Sequence, residues 1–266
     1  MSFFKPKKSL GQHFLKDANI AKKIVNSLTF KEYSDILEIG PGTGILTEFI
    51  LKLGIENIYL VEIDSSAIEI LYRKFTEYKK RIIHKDFLKL NLDTLFPCKF
   101  AIIGNLPYNL SSQIFFKILN YKDKVAEVVC MVQKEVAERI SSSPGNKDYG
   151  VLSVLLQSYF NIEYLFTVNE SVFYPRPKVK SSVIRLLRND RKELECDKEL
   201  FFRIVKTGFN QRRKILRNSL KSILLNLEIY DNRFQMRPEQ LTVEQFIDLT
   251  TKIEEAVKNI SHFKSK

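Results

Sequence analysis

Three carboxylates and one carboxamide close four successive apolar runs of this chain: Glu38 in SDILEIG, Glu62 in NIYLVEID, Asp86 after RIIH and Asn105 after KFAII. An ionised carboxylate only accepts hydrogen bonds, so acids at such places suit an ammonium, a pair of hydroxyls or an exocyclic amine. Asn105 opens NLPY, in which a carboxamide, a proline and a phenol stand together. Its side-chain oxygen and the Leu106 carbonyl can take the two N–H groups of a planar amine such as that of adenine. Those two bonds draw the nitrogen toward a pyramidal shape and free a lone pair otherwise conjugated into the ring. Pro107 fixes the backbone so that the carbonyl turns inward. Tyr108 offers a ring for stacking on an extruded base and a π face toward positive charge on the amine. An alkylated amine gives up its proton to water without a strong base, which suits a chain with three histidines.

The loop EIGPGTG, residues 38–44, follows the first of these runs and opens a helix. Its glycines let the backbone pass close to a ligand. A dinucleotide fingerprint, G-x-G-x-x-G, fits only in part: Gly40 and Gly42 match, Ile45 stands at the third glycine position, and Gly44 falls one residue early. The spacing E-x-G-x-G-x-G is that of S-adenosylmethionine methyltransferases. In that reading Gly40 and Gly42 admit the methionyl moiety and Glu38 lies near its ammonium through water. Glu62, about 20 residues beyond the loop, accepts the ribose hydroxyls, with Asp64 as second choice. Asp86 takes the adenine amine, and Asn105 stands beside the sulfonium.

These residues need strand ends to hold them. Short apolar runs alternate with segments of helical spacing: ILTEFILKL, SAIEILYRKFTEY with Ser65 as its cap, SSQIFFKIL after the fourth run, and KEVAERI after the fifth, VAEVVCMV. Such alternation predicts an α/β fold with a mostly parallel, doubly wound sheet, whose ligands bind at the carboxyl ends of the strands. VLSVLLQSYF reads as a helix. IEYLFTV and SSVIRLL then follow with no helix between them, so one of the two is expected to run antiparallel at that edge. Beyond residue 189 the pattern is helical throughout, in KELFFRIVKTGF, RRKILRNSLKSIL and TVEQFIDLTTKIEEAVKNI. Pro238 suits a helix start, and Thr242 with Gln245 fits a capping box. The expected organisation is a first domain over residues 1–189 and a small all-helical domain over 190–266.

Composition narrows the partners. The chain has 266 residues, a net charge of +12 and a pI near 9.4, which points to a polyanion. The basic residues cluster: Lys7 and Lys8 among the phenylalanines of the start, Arg176, Lys178 and Lys180 in a proline-rich loop, and Arg212, Arg213, Lys214 and Arg217 on one predicted helix. These are the candidate phosphate contacts. The cysteines, Cys98, Cys130 and Cys196, are too far apart in sequence for a C-x-x-C pair, so neither a disulfide nor a metal centre is expected. No apolar run reaches the ~18 residues of a membrane helix, and the start has no secretory h-region, so the expected address is the cytoplasm.

Taken together, KKSLGQHFLKD, EIGPGTG, VEID, KDFL, GNLPYNLSS, VFYPRPKVKSSV and FNQRRKILRNSL resemble the KsgA-type small-subunit ribosomal RNA adenine dimethyltransferases, of the rRNA adenine N6-dimethyltransferase superfamily. The segments run in family order and cover most of the chain. The resemblance implies a Rossmann-like methyltransferase domain with a seven-stranded sheet, S-adenosylmethionine as cofactor, and dimethylation of two adjacent adenines in the hairpin near the 3′ end of small-subunit rRNA. It implies a monomer that meets the assembling small ribosomal subunit and no membrane. It also places His13 and Leu15, in GQHFL, over the cofactor; many relatives carry Asn at the first of these. Phe173 becomes the second aromatic face, opposite Tyr108. Three rivals share parts of the pattern. They are a large-subunit rRNA adenine methyltransferase of the macrolide-resistance kind, a methyltransferase for protein glutamine amides, and a non-catalytic assembly or transcription factor. The basic clusters argue against the second, and the intact Asn105 and Tyr108 against lost catalysis in the third.

Overall fold

In the computed structural model of the chain the described residues are 6–7, 10–55, 57–225 and 227–264. By its contacts the chain divides into two compact units, one of residues 1–137 with 161–188, the other of residues 138–160 with 189–266.

The first unit is built on a sheet. In chain order its strands are β1 (Phe14–Leu15), β2 (Asp35–Ile39), β3 (Ile58–Glu62), β4 (Ile82–His84), β5 (Phe100–Asn105), β6 (Val125–Gln133), β7 (Phe160–Val168), β8 (Phe173–Tyr174) and β9 (Ser181–Arg188). Among the described residues seven of them form one sheet in the order β4-β3-β2-β5-β6-β9-β7. β2, β3, β4, β5 and β6 are parallel, and β9 runs antiparallel to β6, at the edge where two strands meet without a helix between them. β5 and β6 are buried almost end to end, as expected of strands covered on both faces. β7, at the sheet edge, is largely open.

Helices α1 (Ala18–Val25), α2 (Ile45–Lys52), α3 (Ser65–Lys74) and α4 (Ser111–Asn120) cover this sheet. Each turns a buried stripe inward, such as Ala67, Ile68 and Leu71 on α3. The cap of α3 is Asp64, which accepts from Ser66 N, rather than the expected Ser65. A carboxylate one residue earlier reaches the orphan N–H groups with more charge and also meets the positive end of the helix dipole. Away from the main sheet, β1 pairs antiparallel with β8, Leu15 opposite Phe173 and Phe14 opposite Tyr174.

Parallel register sets the strand ends in one row. Ile39 lies beside Val61, Glu62 beside His84, and Asn105 beside Met131. Backbone bonds carry the row past the strands: Gly40 N to Val61 O, Lys85 N to Glu62 O and Leu106 N to Met131 O. The row closes up tightly at Gly104. A Cβ there would stand 2.5 Å from the Ile39 carbonyl oxygen. Glycine is needed here for space and not for a left-handed φ.

After α5 (Lys134–Ser141), the second unit holds α6 (Val151–Gln157), α7 (Lys198–Asn210), α8 (Leu216–Ser219) and α9 (Val243–Lys264). Its core joins Leu152 and Leu156 of α6, Phe201 and Ile204 of α7, and Phe246 and Ile253 of α9. The box at the start of α9 is present: Gln245 N donates to Thr242 Oγ1 and Thr242 N to Gln245 Oε1. The helix expected over RRKILRNSLKSIL is not continuous. α7 ends at Asn210, residues 211–214 turn with Lys214 N on Gln211 O, and only Leu216–Ser219 is helical. Leu216 N is taken by Met236 O, and its side chain packs on Gly208. Tertiary contacts here outweigh the helical spacing of the sequence.

Gly104→Ala sets Cβ against backbone that cannot swing aside. We expect a loss of stability of about 1–3 kcal/mol, the usual scale of an overpacked core. Urea unfolding measures it, and a parental midpoint would show that β2 and β5 can separate at no cost.

Candidate active site

The strand ends open into a cleft. It is lined by Ile39 and Gly40 at the end of β2, Val61 to Ile63 at the end of β3, Lys85 to Leu88 after β4, and Asn105 to Tyr108 at the end of β5; Leu10 to Phe14 cross it from outside. Nearly every chemically notable residue of the first unit's sequence meets here or directly beneath.

Asn105 is the most informative. Its Nδ2 donates to the His13 carbonyl at 2.7 Å. Its Oδ1 is buried with no hydrogen-bond partner. Orphaned buried acceptors are rare, because desolvation without a partner costs about 1–3 kcal/mol. The Nδ2 bond fixes which end of the amide faces the cleft, so the orphan is an acceptor awaiting a donor. Tyr108 follows, with its hydroxyl 2.6 Å from Ser181 Oγ. Burial raises the Tyr108 pKa, only partly offset by that bond, so the phenol stays neutral.

The glycine loop lies under the cleft. Gly40 has φ +64°, and a Cβ built there would meet nothing within 4 Å, although the residue lines the cleft. That space suits a ligand passing close to the backbone. Gly42 does a different job from the expected one: its N–H donates to Glu62 Oε2, and the Phe14 ring lies 2.7 Å from where its Cβ would be. It seats the crossing segment rather than lining the cleft.

Glu62 is 5% exposed and accepts from Gly42 N, Ile63 N and Asp64 N at 2.8–3.1 Å. Three of the roughly four acceptor sites of a carboxylate are thus filled, leaving one for a hydroxyl without rearrangement. Asp86 caps the next turn through Leu88 N and lines the cleft. That turn is pinned by Lys117 of α4, whose ammonium donates to the Leu88 and Leu90 carbonyls. Glu38 is 1% exposed, accepts from Thr47 Oγ1 at 2.6 Å and does not reach the cleft surface. Burial foremost, with the nearby Glu62 charge, pushes its carboxyl up to about 8, while Thr47 and Lys74 pull the other way. The Glu62 pKa is likewise raised, by burial first.

The crossing segment is where sequence and structure part. His13 lines the cleft. Its Nδ1 bonds to Pro175 O at 2.7 Å, and its ring stacks on Tyr108 with centroids 5.2 Å apart. Leu15 does not line the cleft: it is 5% exposed and packs in the core. Phe173, its partner across β1 and β8, is 2% exposed in the same core. The expected second face opposite Tyr108 is therefore held in this structure by His13. The β1–β8 pair explains both corrections, because Leu15 and Phe173 stand opposite each other and sink into one core, while Phe14 takes the place beside the glycine loop. Gln12 and Phe14 line the cleft without having been singled out. GQHFL as a unit was the available signal, and it did not say which of its residues turn inward.

The basic residues divide too. Lys7 lies 2.6 Å from Asp64 and so has an internal partner; Lys8 lies outside the described residues. Arg176, Lys178 and Lys180 are exposed, with Arg176 paired to Glu170. In the second unit Arg212 is half-buried and donates to Asn146 O, whereas Arg213, Lys214 and Arg217 are exposed.

The family model of the ribosomal RNA adenine dimethylases matches residues 3–256. A ribosomal RNA small subunit methyltransferase A of Parabacteroides distasonis is 55% identical, over 94% of both chains. One of the same name in Flavobacterium johnsoniae is 51% identical, over 96% of this chain and 98% of its own. Among solved structures, a dimethyladenosine transferase from Plasmodium falciparum superposes with a TM-score of 0.75 at 24% identity, over 91% of this chain and 98% of that one. A 23S rRNA methyltransferase gives a TM-score of 0.64 at 24% identity, over 89% and 99%. These two likenesses carry the fold.

The Glu38 environment predicts a pH signature for the ligand-free protein. The folded state holds a proton up to about 8, whereas the unfolded chain loses it near 4.5. The folded state therefore binds more protons between these values, and this group's contribution to stability falls as pH rises through that window. Glu38→Gln removes it, so the variant should gain on the parent in unfolding midpoint from pH 5 to pH 8. Parallel midpoints across the window would place the proton elsewhere.

Proposed function

The chain belongs to the ribosomal RNA adenine dimethylase family, and from that premise we propose that it dimethylates N6 of two adjacent adenines in the hairpin near the 3′ end of small-subunit rRNA. It is an S-adenosylmethionine-dependent rRNA adenine dimethyltransferase. The observation that carries the reading of its site is the unpaired Asn105 Oδ1 in a cleft that also presents Tyr108.

The residues present fit the cofactor. Glu62 and Asp86 offer acceptors for the ribose and adenine ends, Gly40 leaves open space against its backbone, and His13 closes the outer side. When bound, S-adenosylmethionine supplies an electrophilic methyl group on a sulfonium. Everything else is the work of the chain. Asn105 Oδ1 accepts one N6–H of the target adenine and the Leu106 carbonyl the other, which localises the nitrogen lone pair for attack. Pro107 keeps that carbonyl in place. After transfer the amine carries positive charge beside the Tyr108 ring and yields its proton to water. The His13 and Tyr108 rings are already in stacking contact, so an extruded base takes the other face of Tyr108 or displaces His13.

Phosphate is assigned to Arg176, Lys178 and Lys180 in one unit and to Arg213, Lys214 and Arg217 in the other, on exposure and charge. Arg212 is left out because it is committed within its own unit. We assign the assembling small subunit as the substrate, a monomer as the working form and the cytoplasm as the place. Among the described residues no helix is long and apolar enough to cross a membrane.

Asn105→Ala should lower turnover by about a hundredfold or more, the scale for losing one preorganised polar group, with RNA affinity little changed. Mass spectrometry of small-subunit RNA, after incubation with S-adenosylmethionine, measures it; parental methylation would remove Asn105 from the reaction. Replacing Arg213, Lys214 and Arg217 together by Gln should flatten the log-affinity against log-salt slope by about two units, at ~0.7–0.9 per phosphate contact. Arg212→Gln should leave that slope unchanged. Titration of assembling subunits at several salt concentrations distinguishes the two.

A further inference from the structure

The segment that crosses the cleft is anchored at one end by a carboxylate outside the cleft. Asp64 is 1% exposed, and its side chain gathers three donors: Lys7 Nζ at 2.6 Å, Gln12 Nε2 at 2.8 Å and Ser66 N at 3.0 Å. Gln12 in turn accepts from Lys7 N through Oε1 at 2.8 Å, which closes a small ring of bonds. The backbone of Asp64 belongs to the opposite wall, since its N–H donates to Glu62 Oε1 at 2.9 Å. One residue therefore ties the outer wall of the cleft, Leu10 to Phe14, to the carboxylate assigned to the cofactor ribose. A second tie of this segment is His13, held by Asn105 and Pro175.

We propose that Asp64 is a positioning residue, a latch that, through Lys7 and Gln12, holds residues 10–14 across the cofactor cleft and sets how fast the cofactor leaves. The inference rests on the cofactor reading above. A buried carboxylate needs partners, and losing one leaves charge uncompensated, so the pull on Lys7 and Gln12 is strong. Burial opposes the ionised form, but Lys7, Gln12 and the Ser66 N–H outweigh it and hold the Asp64 carboxyl below its usual range. The latch is thus charged at neutral pH. It can still be released, because the Lys7 side chain is 44% exposed and water and salt can compete for its ammonium. Asp64 itself does not line the cleft, which separates its role from that of Glu62.

The test measures dissociation of S-adenosylhomocysteine from the full chain by stopped-flow displacement, and amide hydrogen exchange of residues 10–16 without ligand. Asp64→Asn keeps the cap on Ser66 N, since asparagine caps as well as aspartate, but removes the charge. It should speed dissociation by about tenfold or more, the loss of one hydrogen bond to a charged group. Lys7→Met should do the same, Lys7→Arg should restore slow dissociation, and the double variant Lys7→Met, Asp64→Asn should add little to either single change. Exchange at residues 10–16 should rise in Asp64→Asn and Lys7→Met alike. If the parent protein fails to bind S-adenosylhomocysteine, the cofactor reading falls and takes the latch with it. If the parent binds and Asp64→Asn or Lys7→Met dissociates at the parental rate with unchanged exchange, the latch alone is overturned.

Discussion

Asn105 can offer an acceptor to a substrate only because its amide nitrogen is already taken. The 2.7 Å bond from Nδ2 to the His13 carbonyl fixes the plane and the sense of the carboxamide. Without it the side chain could turn to satisfy Oδ1 from a neighbour, and the orphan acceptor would disappear. The cost of that orphan is carried by the surrounding fold, which grips Asn105 as the last residue of a strand buried along the rest of its length. The carbonyl it uses belongs to a segment some ninety residues earlier. Substrate chemistry, strand end and crossing segment are one construction, and none keeps its geometry alone.

The same economy explains the two acids under the glycine loop. Glu38 and Glu62 are both nearly sealed from water, and the Glu62 charge adds to the cost of charging Glu38. A cation arriving above them lowers that cost, whereas an anion raises it. The site is therefore selective for a ligand with a cationic end before any contact is counted. This favours S-adenosylmethionine over a dinucleotide, whose pyrophosphate would add to the cost of charging either acid. The imperfect G-x-G-x-x-G spacing in the sequence points the same way, and the electrostatics supply its reason.

Strand ends were legible in the sequence because they combine two strong signals, an apolar run and a terminal polar residue. Glu62, Asp86 and Asn105 come together in the cleft for that reason, and register does the rest. The antiparallel strand at one edge was equally visible, from two strands with no helix between them. The crossing segment was legible only as a motif. Which of its residues face inward depends on a two-residue pairing with β8, and no periodicity can be read from so short a ladder. The basic stretch after α7 failed for a different reason. Its spacing is helical, but Leu216 N finds Met236 O and Gly208 leaves room for the Leu216 side chain, so a turn satisfies the backbone as well as a helix would. The grouping of residues 138–160 with the second unit depends on packing partners more than fifty residues away, such as Tyr149 against Phe209. No local pattern announces that.

The β1–β8 pair also decides what the aromatic side of the site is made of. Leu15 and Phe173 are opposite each other and both sink into the core, so Phe14 and Tyr174, also opposite, emerge on the other side. A shift of one residue would exchange the two sets, because side chains in extended backbone alternate faces. Phe173 would then leave the core, while Phe14 would lose its seat on Gly42. The aromatic wall is thus a property of one register and cannot be assigned to one residue by type. The ladder holding that register is short, and the His13–Pro175 and Lys16–Val172 bonds at its two ends are what keep it from slipping. A histidine in GQHFL is suited to this place for two reasons at once. Its Nδ1 holds the neighbouring loop, and its ring covers the face of Tyr108 while no base is there. An asparagine at that position could make the first contact but would leave the ring uncovered.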